Sequence, residues 1–156
     1  MEEEKKVRMS DYYPIEITDD MSETEKYVYE EAKLYLDETC FSSIIGYNVH
    51  VENVVKLGKQ VKPFIIKLIN QCLSSSPMGQ YTHFCLLVMQ ELYGNPFKGY
   101  VPMDFCMKYW AKMDKKGLLD KTDEETKTEE IVSVLQEISS EYMENNNENK
   151  DNENGW

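Results

Sequence analysis

The chain has 156 residues, 41% of them hydrophobic, and carries 29 acids against 17 lysines and arginines for a net charge of −12. That size and composition suit one domain with a real core, since a domain of this length buries roughly two-thirds of its unfolded surface. The acidity argues against direct nucleic-acid binding, which needs cations against phosphate. No run approaches the ~18 apolar residues of a membrane span, so no membrane partner is expected. Met1 to Arg8 lacks the apolar stretch of a secretory signal. Cys40, Cys72, Cys85 and Cys106 lie among apolar residues with no C-x-x-C pair. These features predict a cytoplasmic protein with buried, reduced thiols.

In chain order, residues 1–20 read as a charged N-terminal arm. Tyr12 to Ile17 (YYPIEI) alternates apolar and polar and is expected to lie extended across the helices. A single helical domain is expected over 21–143. Ser22 with Glu25 is a capping box opening the first long helix, whose inward stripe is Val28, Ala32, Tyr35 and Leu36, with Tyr27 and Leu34 beside it. It should stop near Thr39. Cys40 to Tyr47 reads as an apolar turn region. A short helix over Val49–Leu57 then runs into a corner. Gly58 stands where a helix end favours positive φ, and Pro63 stands where a new helix loses nothing by lacking an N–H. Phe64, Ile65, Leu68, Ile69 and Cys72 follow at helical spacing.

Ser74 to Gly79 (SSSPMG) reads as a loop by composition. Tyr81 to Tyr93 is apolar nearly all round, which predicts the most buried helix, capped by Gly94 and stopped by Asn95-Pro96. Pro102 starts another helix with Met103, Cys106, Trp110 and Met113 on one face and Gly117 at its end. Thr122 with Glu125 forms a second capping box. The last helix is expected from about Glu124 to Met143, on the stripe Ile131, Val134, Leu135, Ile138 and Tyr142. Residues 144–156 are rich in asparagine and glutamate and predict a disordered tail. The expected fold class is all-α, a short HEAT-like α-solenoid or irregular bundle of about five to six helices.

Glu38-Thr39-x-x-Ser42-Ser43, Val54-Val55-x-Leu57-Gly58, the Pro63 helix, Leu92-x-Gly94-x-Pro96, Trp110 and Gly117 occur in that order. In this the chain resembles a family of small, mostly uncharacterised bacterial HEAT-like helical proteins, over about residues 38–117. Such proteins carry an aromatic pair, often with tryptophan, early in the middle helix, where this chain has His83-Phe84. The acidic last helix and the tail fall outside the pattern. The resemblance implies a fold and no chemistry.

The chemistry-bearing residues are sparse. His83 and Cys85, two apart, point to different faces of a helix and cannot share a zinc ion. A thiol–imidazole nucleophile could arise only from non-local pairing, such as His50 with Cys72; buried thiols and surface or capping histidines are the expectation. There is no H-E-x-x-H, G-x-S-x-G, Walker or G-x-G-x-x-G motif. Glu30-Glu31 and Glu124-Glu125 read as solvated faces. Tyr27, Tyr35, Tyr93 and Tyr109 read as half-core residues with the hydroxyl at the surface. No catalytic residue, metal or cofactor is expected.

Charge is unevenly spread. Residues 1–50 hold 13 acids against 5 bases, residues 51–113 hold 3 against 7, and residues 114–156 hold 13 against 5. The basic centre gathers at the corner, where Lys59, Lys62 and Lys67, with Tyr29, Tyr47 and Tyr100, are the candidate partner-binding residues. Either the acidic flanks neutralise these lysines within the molecule, or the lysines meet an acidic partner. The resulting expectation is a non-enzymatic module that binds another protein in the bacterial cytoplasm. The alternative is an acidic inhibitor or decoy, of phage or mobile-element type, that occupies a basic nucleic-acid-binding groove on its target.

Overall fold

The computed structural model describes residues 8–39, 48–97, 99–120, 128–141 and 143. Among these the regular structure is entirely helical. By contacts the chain divides into two compact units, Met1–Tyr100 and Val101–Trp156.

The first unit opens with α1 (Met9–Tyr12), a single turn. Residue 12, expected to be extended, is therefore helical. The cause is local and tertiary together: the backbone N–H and hydroxyl of Ser10 both donate to Asp37, at 2.8 and 3.0 Å. The following residues do lie extended and pack down, with Ile15 buried. The Tyr81 hydroxyl donates to the carbonyl of Tyr13 and pins the segment across the unit.

Helix α2 (Glu23–Thr39) starts where the Ser22 hydroxyl accepts the Glu25 N–H at 3.1 Å, half of the expected capping box. The Glu25 carboxylate turns elsewhere, as described below. Val28, Ala32, Tyr35 and Leu36 are buried, whereas Tyr27 and Leu34 remain exposed. Helix α3 (Val49–Val55) is capped by Asn48, whose side chain accepts from the N–H groups of His50 and Val51 at 3.0 and 3.3 Å. It ends two residues before the expected Leu57.

Gly58 has φ +77°, and a 3-10 turn over Gly58–Val61 carries the chain into α4 (Lys62–Ser74), with Pro63 in its first turn. The expected corner is therefore present. A second 3-10 turn follows over Ser76–Tyr81, where composition reads as loop. Pro77 presets a helical φ there, and the Cys72 thiol donates to the Met78 carbonyl at 3.0 Å, tying the turn to α4.

Helix α5 (Thr82–Tyr93) then places Phe84, Cys85, Leu86, Val88 and Met89 in the interior. Helix α3 packs on α2 and α5, and α4 packs on α5. Tyr35 meets Phe84 with ring centroids 5.7 Å apart and the planes tilted at 53°, a favourable aromatic geometry.

The second unit contains α6 (Met103–Lys115), with Cys106, Met107, Tyr109, Trp110 and Met113 buried. It closes in a Schellman motif: Leu118 N–H donates to Met113 O and Gly117 N–H to Asp114 O, both at 2.9 Å. Gly117 takes the required φ of +69°, and Met113 and Leu118 are both buried. A further helix, α7, runs over residues 128–141, with Val134 and Ile138 fully buried. The second capping box, the start of that helix, the Cys40–Tyr47 turn and the tail all lie outside the described residues.

Candidate functional site

The lysine corner is built from α4 and the 3-10 turn before it. Lys67 reaches back to α2 and lies 3.1 Å from Glu25. The same carboxylate accepts from the Tyr29 hydroxyl at 2.7 Å, and the Lys67 ammonium stands 5.9 Å from the Tyr29 ring centre. Burial, followed by the Glu25 carboxylate, raises the Tyr29 phenol above its ordinary range. Tyr29 is only 1% exposed, so its ring offers no surface to a partner and instead joins Lys67 and Glu25.

Lys59 is exposed and sits over the Tyr93 ring at 4.8 Å. Lys62 is half-buried in the first turn of α4. Tyr100, the last residue of its unit, is 93% exposed. Tyr47 lies outside the described residues. The six sequence candidates are thus not one patch: Lys67 and Tyr29 form a closed cluster, and Lys59 belongs to a cation–π pair.

The acidic flanks meet two central lysines, Lys67 through Glu25 and Lys112 through Glu137 and Glu141, while Lys116 belongs to the flank itself. In the second unit Lys112 lies 3.0 Å from Glu141 and 3.7 Å from Glu137, and Lys116 lies 2.6 Å from Glu137. The bond to Glu141 is the main cause of a raised Lys112, and the bond to Lys116 the main cause of a lowered Glu137.

A second cluster escapes the sequence reading. Glu31, expected on a solvated face, is buried beside His50, expected at the surface or in a cap. His50 Nδ1 lies 2.7 Å from Glu31 Oε2. On the other side of the ring, Nε2 lies 3.1 Å from Glu38 Oε1, in ion-pair range but without hydrogen-bond geometry. Asn53 donates to Glu31 at 3.4 Å. Burial lowers the His50 pKa, but the two carboxylates outweigh it and leave the imidazole above its ordinary value. One signal was available in the sequence: Glu31 lies three residues after Val28 and one before Ala32, on the inward side of α2.

Cys72, Cys85 and Cys106 are free and buried, as expected. Full burial pushes the Cys85 thiol well up, so it is no nucleophile at neutral pH. His50 is engaged by α2 carboxylates, and His83 is exposed. Tyr35 and Tyr109 are fully buried, deeper than their half-core expectation, and burial raises Tyr109 to about 12. Among the described residues no group of three or more His, Cys, Asp or Glu side chains is placed to hold a metal ion, and no helix is long and apolar enough to cross a membrane.

Fold and site together define an all-helical protein in which His50 is engaged by Glu31 and Glu38, and Lys67 by Glu25. No family model matches the chain, and no curated protein or solved structure matches it.

Proposed function

We propose that the chain is a non-enzymatic protein-interaction module of the bacterial cytoplasm, with its helices stacked in a HEAT-like manner. One observation carries this reading: in the first unit His50 and both described thiols are inside, while a few apolar side chains of α2 and α3 are outside. His50, Cys72 and Cys85 are buried, whereas Tyr27 and Leu34 on α2 and Val49 on α3 stand in solvent on the rigid elements that bury them. An enzyme needs its acids, bases and nucleophiles within reach of a substrate. A docking surface needs apolar side chains held in place. Because α3 packs on α2, an edge containing Leu34 and Val49 is the docking surface in this reading.

The test is capture from a bacterial lysate by the wild-type chain and by a Leu34→Glu, Val49→Glu variant. Expected is one protein, identified by mass, that the wild type retains through rising salt and the equally stable variant loses. Capture indifferent to both substitutions would sink the reading. Capture that fails steeply as salt rises would favour the acidic decoy. The pairing of Glu137 and Glu141 with lysines of their own unit already reduces the acidic surface open to such a target.

A further inference from the structure

Glu31 and Glu38 are seven residues apart, two turns along one face of α2. The His50 ring stands between them, and each ring nitrogen confronts a carboxylate oxygen, at 2.7 and 3.1 Å. A neutral imidazole has one N–H and one lone pair. Whichever tautomer it adopts, a lone pair then faces a carboxylate. Only the imidazolium presents a hydrogen to both. The imidazolium therefore holds Glu31 by a hydrogen bond and Glu38 by charge, whereas the neutral Nδ1–H tautomer keeps the Glu31 bond and turns a lone pair toward Glu38.

The geometry points to a proton-operated latch between α2 and α3, closed while both ring nitrogens of His50 carry hydrogen and released at the first turn of α3 when one is lost.

The surroundings leave the carboxylates in control of the ring. From α2 come Glu31 and Glu38, with the Tyr27 phenol, which burial and then the Glu31 charge raise above its ordinary range. From α3 itself come the neutral Asn53, which also bonds Glu31, and the Glu52–Lys56 ion pair at 3.6 Å. Helix α5 and the Gly58–Val61 turn, the other described elements packed on α3, supply no charge that acts on the ring. The connecting residues 40–48 (CFSSIIGYN) contain no Asp, Glu, Lys, Arg or His, and their titratable groups are Cys40 and Tyr47. Two forces oppose closure: burial, which disfavours the charged ring, and the helix end. His50 lies in the first turn of α3, where the positive end of the helix dipole disfavours a cation. Once the Nε2 proton leaves, the attraction to Glu38 is lost and that end is held to α2 by the Nδ1–H bond to Glu31 and by apolar packing.

The sign follows from the raised His50 pKa. The latch is fully closed below the pKa of an unfolded histidine, about 6.5, and opens as pH rises through the folded value. Each unit by which the folded value exceeds the unfolded one makes closure tenfold more favourable.

Two measurements on the full-length chain test the latch. Imidazole proton NMR follows His50, assigned by loss of its signal in His50→Gln. Amide hydrogen exchange follows α3 and α5 across the same pH range, corrected for hydroxide catalysis. Expected are a His50 midpoint above that of the urea-unfolded chain, and a step of tenfold or more in α3 exchange at that midpoint. Helix α5 should show no step, and His50→Gln should abolish the one in α3. Should that variant fail to fold, Glu38→Gln serves instead, with the midpoint and the α3 step both moving to lower pH. A midpoint at or below the unfolded value, an α3 profile without a step, or the same step in α5 would each overturn the proposal.

Discussion

Gly58 takes φ +77° between α3 and the 3-10 turn, and a Cβ built there meets nothing within 4 Å. Any penalty for replacing it is therefore conformational rather than steric. Gly58→Val should cost about 1 kcal/mol or more, because a β-branched residue resists positive φ. Pro63→Ala should cost only a few tenths, since Pro63 lies in the first turn of α4, where its missing N–H breaks no helical bond. Urea melts of the two variants check this; equal large losses would contradict the assigned geometry.

The same scale shows what was legible. Gly58, Pro63 and Gly117 announced their roles because φ preference is a property of the residue itself. Glu31 and His50 did not, because their contact joins side chains 19 residues apart and each looks ordinary alone. Tyr29 misled in the opposite direction. Its amphipathic ring suits an interface, but α2 turns it inward and gives its hydroxyl to Glu25.

At the scale of elements, helix types followed hydrophobic period and length well. Helix α5 was legible as buried because its apolar residues surround the axis. The Ser76–Tyr81 turn was not, since Ser74 to Pro77 read as loop until Cys72 holds the turn at Met78 and Tyr81 bonds to Tyr13.

In the second unit α7 is joined to α6 by Lys112 and Lys116. Exposed pairs of this kind contribute roughly 0.2–1 kcal/mol each, and here two lysines share Glu137. Replacing both lysines by glutamine should therefore lower the melting temperature slightly at low ionic strength. The loss should shrink in high salt. Circular-dichroism melts at two salt concentrations measure it, and a salt-independent loss would assign the effect to packing of the lysine stems instead.

At the scale of the whole chain, the two units differ in what they enclose. The first holds α1 to α5 and the pinned N-terminal segment. The second spans only residues 101–156. Small chains bury a smaller fraction of their surface and are marginal alone. A fragment of residues 1–100 should melt cooperatively with its helix content intact, whereas residues 101–156 should show a shallow, non-cooperative loss of ellipticity. Fluorescence of Trp110, 2% exposed, gives a second readout, since the isolated second unit should emit at longer wavelength than the full chain. A sharp melt from that fragment would show that it folds independently.

The bond from Tyr81 to the Tyr13 carbonyl spans 68 residues. A ribosome delivers the chain from its N-terminus, so α2 and α3 can pair while the segment that carries Ile15 still waits for its seat. That seat is complete only after Tyr81 has cleared the exit tunnel. Helix α1 can already rest on α2 through Ser10 and Asp37, whereas pinning of the segment after it is a late event of biosynthesis, gated by translation through Tyr81. Until then Ile15 and its tyrosine neighbours are the stretch that a nascent-chain chaperone would meet.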